Sequence, residues 1–390
     1  MARFSLFVAD LSRNALARVV PVALALRERH EVEILGLFLA DDEVYGPYAD
    51  LFEYRAIRTS PNVTTLLASS RQLAVRATGD VMYAFKPVLS SFGPALYASR
   101  VPRRRPLLLD VDDDEWGTMG TTWAEKLRRD VLGGWRHGTA VKYTRALHPL
   151  TWLADGTTVV SRKLQHRYGG TLLRHPADLV AFDPTRPEFA DVAALRRRFD
   201  LPADRPLALF AGVARAHKGL DVVAEALLRP ECAGWDLILA GSPRTPEFDR
   251  VQQRLGDRCR QIGRVPFAEM PALLAAVDAV PVVQQPVAFA ESQVPTKLID
   301  AMAMAKPVVG TRVGDGAEII GRGERGWLAE PQSAASVAAA FAEIAANVGE
   351  ARTRGAAARA WVRAEASATV ARIRIEALLA DVDAPARSPI

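Results

Sequence analysis

Short apolar runs alternate with stretches whose apolar residues recur every three or four positions, and this alternation repeats along nearly the whole chain. Phe4 to Ala9 reads as a strand, Ala15 to Arg27 as a helix with one apolar face, and Glu31 to Leu35 as a second strand. Two strands joined through a helix pair in parallel. Asp80 to Tyr83, Pro106 to Val111 and Gly156 to Val160 continue the series of short apolar strands. Between Phe182 and Pro206 two proline clusters flank a short charged helix, the pattern of a linker. The alternation then restarts, with strands expected at Leu207 to Ala211, Asp236 to Ala240, Arg258 to Ile262, Ala279 to Val283 and Pro307 to Gly310. Three alanine-rich helical stretches follow, Ser333 to Asn347, Gly349 to Glu365 and Ala368 to Val382.

The pattern predicts an α/β protein with two doubly wound, Rossmann-like domains, 1–185 and 186–365, facing a cleft. The final helix, about 366–382, is expected to be able to pack back on the first domain, ahead of a flexible tail at 384–390. In such sheets ligands sit outside the carboxyl ends of the strands, where the strand order reverses.

The chain has 390 residues, more than one core usually supports, and its 49% hydrophobic and 24% charged residues suit two buried sheets. No run approaches a membrane span, and the apolar run that ends at Asp10 is too short for the core of a signal segment and lacks a small-residue cleavage site. Cys232 and Cys259 make neither a disulfide framework nor a thiolate metal site, so a cytoplasmic setting is expected. The net charge of +5 comes without any finger, helix-turn-helix or RNA-binding signature, so an anionic small substrate is favoured over nucleic acid. The basic clusters Arg103 to Arg105, Lys126 to Arg129 and Arg196 to Arg198 read as solvated faces.

Two stretches carry candidate chemistry. In Phe210-Ala211-Gly212-Val213-Ala214-Arg215-Ala216-His217-Lys218-Gly219 an apolar strand ends in glycine, and a short loop presents Arg215 and Lys218 before a helix. A planar guanidinium fork and a compact ammonium together suit the spread-out charge of a diphosphate. In Gln293-Val294-Pro295-Thr296-Lys297-Leu298-Ile299-Asp300-Ala301, Pro295 favours a helix start whose free first-turn amides form an anion site. Asp300, about one turn further on, is placed to accept hydrogen bonds from ribose hydroxyls.

The second stretch, continued to Val309, resembles the donor signature P-x-K-L-x-[DE]-A-x-A-x-x-x-P-V of family 4 of the retaining glycosyltransferases, group 1, which have the GT-B fold. The Gly212 to Gly219 loop is similar to that family's phosphate-binding loop. Gly263-Arg264-Val265 resembles its base-binding turn, and Gly314 to Ile320 resembles its later loop and helix. The resemblance implies sugar transfer from a nucleotide-sugar donor to an acceptor hydroxyl with retention, the nucleotide sugar being a co-substrate, with no cofactor and no metal. It implies that Gly212, Arg215 and Lys218 meet the diphosphate and that Asp300 holds the ribose. Arg264 and Val265 would contact the base through the main chain, and Glu291, Pro295 and Thr296 would cover sugar and phosphate. Arg215 and Lys218 would then also serve the departing diphosphate.

Two departures from the family pattern stand out. Many members place a Glu eight positions before the ribose-binding acid, where this chain has Ser292, with Glu291 beside it. The family's Gly-Gly loop after the first strand is replaced by Ser12-Arg13-Asn14-Ala15. Asn14, Asp112, Asp113 and His137 are candidates for acceptor binding. The run Asp110 to Glu115 also invites a metal reading, and His148 and His175 are further candidate cleft residues. Basic residues from Lys126 to Arg145 interleave with Trp123, Leu127, Val131, Trp135 and Leu147, a surface that could rest on an anionic membrane carrying a lipid-linked acceptor. A nucleotide-sugar epimerase or a non-catalytic nucleotide-sugar-binding protein of the same fold are the alternatives. A dinucleotide dehydrogenase lacks its G-x-G-x-x-G turn here.

Overall fold

A computed structural model of the chain describes residues 1–114, 141–241 and 245–383. Its contacts divide the chain into two compact units, Met1–Pro176 with Ala368–Ile390, and Ala177–Ser367.

The N-terminal unit holds a parallel sheet of β1 (Arg3–Val8), β2 (Glu31–Phe38), β3 (Tyr54–Arg58), β4 (Val81–Phe85), β5 (Leu107–Val111), β6 (Gly156–Val159) and β7 (Thr171–Leu172), in the order β3-β2-β1-β4-β5-β6-β7. Every residue of β4 and β5 is buried, as expected where helices cover both faces of a parallel sheet. Phe4 pairs with Val32 on one side and Val81 on the other, so β1 is central. The strand order reverses beside β1, between it and β4. The strands β3 and β7 lie at the sheet margins and go beyond the strands read from the sequence.

The helix Leu16–Arg27 buries most of its residues, among them Arg18, whose guanidinium pairs side-on with Asp110 at 2.9 and 2.8 Å. Its other donors reach the carbonyl oxygens of Leu173 and Arg174. Thr158 donates to the same Asp110 carboxylate at 2.6 Å, and Tyr83 shares a 2.7 Å hydrogen bond with Thr158. The last helix, Ala368–Asp383, lies against Leu16–Arg27. Arg372 pairs with Glu28 at 3.3 Å, Glu376 meets His30 at 3.0 Å, and Arg374 donates to the carbonyl of Leu172.

The C-terminal unit contains β8 (Leu207–Ala211), β9 (Asp236–Ala240) and β10 (Cys259–Gly263) in the order β10-β9-β8. A second set, β11 (Val280–Val282), β12 (Val308–Thr311) and β13 (Trp327–Ala329), runs β11-β12-β13. A parallel bridge between Ala208 and Ala279, with Leu209 N–H donating to the Ala279 carbonyl at 2.9 Å, joins the sets. The strands then follow one doubly wound order, and β8 and β11 flank the point of reversal. Phe210 meets Phe248 edge to face, and Trp235 packs against Phe341 in the core.

In two basic clusters a single arginine departs from the solvated face that the charge suggested, while Arg103, Arg104, Arg197 and Arg198 are exposed. Arg196 is buried and donates to the carbonyls of Ala276, Ala203 and Arg205, and to Asp278 at 2.7 Å. Asp278 in turn accepts from the Leu207 amide at 2.7 Å, so the pair ties the start of β8 to the approach to β11. Arg105 is likewise buried, donating to Ala98 and Gly79 carbonyls at 2.6 and 3.0 Å. Loop carbonyls turned inward need donors, and a guanidinium supplies several in one plane. The Lys126 to Arg129 cluster, the interleaved aromatic residues before Lys142, Glu115 and the tail 384–390 lie outside the described residues.

Candidate functional site

At the reversal point of the C-terminal unit, β8 ends in Gly212, whose amide donates to the Ala240 carbonyl at 2.7 Å. The chain then makes a short 3-10 turn, Ala216–Lys218, closed by Lys218 N–H to the Arg215 carbonyl at 2.8 Å. Gly219 follows with φ +63°, and a Cβ there would collide with the carbonyl oxygen of Val283. Only glycine fits this close crossing of the loops after β8 and β11. The crossing is fastened by Gln285 N–H donating to the His217 carbonyl at 2.8 Å. Lys218 is thereby turned back over the end of β8, with its Nζ 3.8 Å from where a Gly212 Cβ would stand. Arg215 is exposed.

β9 and β10 end beside this loop. Gly241 lies against the Gly212 backbone, and its amide donates to the Gly263 carbonyl at 2.7 Å. Arg264 and Val265 leave from that point, Arg264 exposed and Val265 half-buried. The base-binding candidates and the phosphate-binding loop thus share one carboxyl edge.

The helix Thr296–Ala303 supplies the other side. Pro295, extended at ψ 129°, is its N-cap residue, and Leu298, Ile299, Ala301, Met302 and Ala303 are buried. The periodicity leaves Thr296, Lys297 and Asp300 on the less buried face. Asp300 retains partial exposure, but its carboxyl is enclosed enough that desolvation pushes its pKa up to about 7. No hydrogen bond or ion pair to another described residue offsets that cost.

Lys297 is the residue that sequence reasoning passed over, although it stands inside the P-T-K-L-I-D stretch. Its Nζ lies 3.7 Å from the centroid of the Phe210 ring, is shielded from solvent and has no hydrogen-bond partner among the described residues. Burial, reinforced by the neighbouring Lys218 charge, depresses its pKa well below the ordinary lysine value. A lysine between the helix start and the acid, in an otherwise apolar frame, was the available signal.

Ser292, where the family's Glu is expected, is fully buried and donates back to the Phe289 carbonyl at 2.8 Å. Glu291 is half-buried at the end of the helix Ala288–Ser292, and its main chain packs against Gly314. Thr311 at the end of β12 donates to the Gln284 carbonyl at 2.7 Å, tying the loops after β11 and β12 together.

In the N-terminal unit the loop after β1 is shaped by Asp10, which accepts from the Ser12 amide and hydroxyl at 3.0 and 2.6 Å. This side-chain turn stands where the family has glycines, and it leaves Asn14 exposed at the entry to the helix Leu16–Arg27. At the ends of β4 and β5, Lys86 has φ +77° and its ammonium lies 2.7 Å from Asp113 and 3.5 Å from Asp112. Desolvation pushes the Asp112 pKa up to about 7 against the pull of Lys86. Asp114 pairs with Arg167 at 2.7 Å. The acidic run is therefore matched by protein cations, and Lys86 is a second residue that the sequence did not single out. His148 has its pKa lowered by burial and by Arg167. His137 lies outside the described residues.

The sequence profile of the family described as glycosyl transferases group 1 matches residues 205–347, the span that builds this carboxyl edge. By this match residues 205–347 are similar to the group 1 glycosyltransferases. A GDP-mannose-dependent alpha-(1-6)-phosphatidylinositol monomannoside mannosyltransferase of Mycobacterium tuberculosis is 28% identical over 228 residues, 55% of this chain and 59% of that protein. The match thus spans less than two thirds of that glycosyltransferase. Sucrose-phosphate synthase from Thermosynechococcus elongatus superposes with a TM-score of 0.70 at 18% identity, covering 98% of this chain and 99% of that one. Anabaena HepE in complex with UDP-glucose gives 0.72 at 17% identity, covering 98% and 100%. At such identities the likeness carries the fold, which is GT-B with its two Rossmann-like units.

Proposed function

We propose that the chain is a glycosyltransferase that moves a sugar from a nucleoside-diphosphate sugar to an acceptor hydroxyl with retention of configuration. The observation that carries this reading is the convergence of Lys218, Lys297 and a helix start on the carboxyl edge beside β8, with Asp300 one turn further into the helix. Cations and free amides bind a diphosphate, and an unpaired carboxylate beside them accepts from a ribose diol. Arg215 and Lys218 neutralise the leaving diphosphate, the main chain at Arg264 and Val265 meets the base, and the Glu291 to Thr296 segment meets the sugar. Charge developing on the leaving oxygen is stabilised by groups already in place, so the reaction needs no strong protein base and no metal.

The mycobacterial relative uses GDP-mannose and the Anabaena structure holds UDP-glucose, so guanosine and uridine donors are the first to try. The acceptor is assigned to the N-terminal unit, at Asn14, Asp112 and Asp113. Among the described residues no helix is long and apolar enough to cross a membrane. We place the reaction in the cytoplasm, with peripheral contact to the membrane if the acceptor is lipid-linked.

Calorimetry with GDP, UDP and the matching monophosphates tests the donor site. Diphosphates should bind at least tenfold more tightly, and Lys218→Ala should remove most of that difference, since a charge-assisted hydrogen bond contributes roughly 1.5–3 kcal/mol. Equal affinity for mono- and diphosphates would overturn the assignment. Hydrolysis or transfer of a radiolabelled nucleotide sugar separates an enzyme from a binding protein.

A further inference from the structure

The enclosed amine of Lys297 stands over the Phe210 ring with no hydrogen-bond acceptor among the described residues. Lys218, the nearby charge that acts on it, has the same sign. The amine also belongs to the first turn of the Thr296–Ala303 helix, where unbonded amides and the helix dipole add further positive potential. The ring face gives a cation some support, though less than an anion would. Three positive features therefore converge, and among the described residues no carboxylate offsets the Lys297 amine.

Among the described residues the other elements around Thr296–Ala303 bring no carboxylate to the Lys297 amine. β8, β11 and β12 contain no titratable side chain. From the helix Val348–Glu365, Arg359 reaches the carbonyl of Ala303, at the far end. Glu291 is carried by Ala288–Ser292 and His217 faces the Phe289 ring. Asp300, in the same helix, is raised by burial and draws no stabilisation from Lys297.

We infer that Lys297 is a proton-linked cation of the diphosphate subsite, its amine giving up a proton when no anion is present and taking one up as a diphosphate settles at the helix start. The inference rests on the reading of this edge as a nucleoside-diphosphate site. No bond to phosphorus forms or breaks; the proton comes from solvent and returns there when the diphosphate leaves. Product release would then be favoured by alkaline conditions, under which the amine sheds its proton. Such linkage lets one buried lysine bind a dianionic group without bearing the full cost of an isolated buried charge between turnovers.

The probe is inorganic pyrophosphate, which lacks the ribose assigned to Asp300, so its binding reports the cations. Titration calorimetry with chelator present, in two buffers of different ionisation enthalpy at neutral and mildly alkaline pH, should show net proton uptake by the wild-type chain. Lys297→Met should bind pyrophosphate roughly 10- to 100-fold more weakly and without uptake. Lys297→Arg should bind without uptake because a guanidinium stays charged, and it decides the matter if the Met variant does not fold. Binding without proton uptake in the wild type, or uptake that persists in Lys297→Arg, would overturn the inference while leaving the donor site intact. Failure of pyrophosphate, GDP and UDP alike to bind would overturn both.

Discussion

Gly314 sits against the main chain of Glu291, so that a Cβ on Gly314 would stand 2.6 Å from the Glu291 carbonyl oxygen. The residue also has φ +53°, a conformation that costs an L side chain about 1–2 kcal/mol. The loop after β12 is thereby pressed onto the short helix that presents Glu291. Gly314→Ala should push these apart and lower affinity for the nucleotide sugar about tenfold, while affinity for the nucleoside diphosphate changes little. Equal losses for both ligands, measured by calorimetry, would show that the Glu291 segment does not read the sugar.

Asp300 sets binding against stability. Its pKa, near 3.8 in an unfolded chain, is raised to about 7 in the fold. Between those values the unfolded chain has lost the proton that the folded chain keeps, so this group's contribution to stability falls as pH rises through that window. It is fully unfavourable above about pH 7. Asp300→Asn removes a penalty of up to about 4 kcal/mol, and its melting temperature should exceed wild type at neutral pH and converge with it in acid. The same variant should lose roughly 10- to 100-fold in affinity for a nucleoside diphosphate. A 2′,3′-dideoxy nucleotide should bind both proteins alike, as a double-mutant cycle would reveal.

The pairing of Asp113 with Lys86 and of Asp114 with Arg167 leaves protein cations in the positions that a metal would compete for. Turnover should therefore persist after exhaustive treatment with chelator. Loss of activity that magnesium restores would reassign Asp112 and Asp113 as ligands.

Arg18 and Asp110 are both almost completely buried, with side chains 2% and 1% exposed. Removing one partner strands the other, so Asp110→Asn should destabilise the N-terminal unit by about 3–5 kcal/mol. Arg104→Ala, at the outer edge of a 2.7 Å bridge to Asp155 whose arginine is 73% exposed, should cost less than about 1 kcal/mol. Chemical denaturation of the two variants side by side makes the comparison.

Much of the architecture was legible because it is written locally. The apolar runs Leu207–Ala211 and Asp236–Ala240 are strands with the same bounds that their hydrophobicity marks, and Pro295 announces the helix that carries Asp300. Hydrophobic period, proline and glycine act within a window of a few residues, so a reader of the chain meets them complete. Thr171–Leu172 and Trp327–Ala329 escaped notice because they are short pieces whose strand character comes from a neighbour in the sheet, and Tyr54–Arg58 because its two arginines leave no apolar run.

The state of the charges emerges only from the packed fold. Arg196 and Arg105 look in sequence like any solvated basic cluster, yet each is buried on carbonyls brought from other segments. Lys297 and Phe210 belong to different strand-helix units, and nothing near either residue in the chain places one over the other. Whether an amine or carboxyl keeps its proton depends on the solvent it loses and on the charges around it. Those quantities belong to the packed volume and not to the order of residues. The order of residues specifies which chemical groups this carboxyl edge holds, while the fold sets how far each is removed from water and which charges act on it.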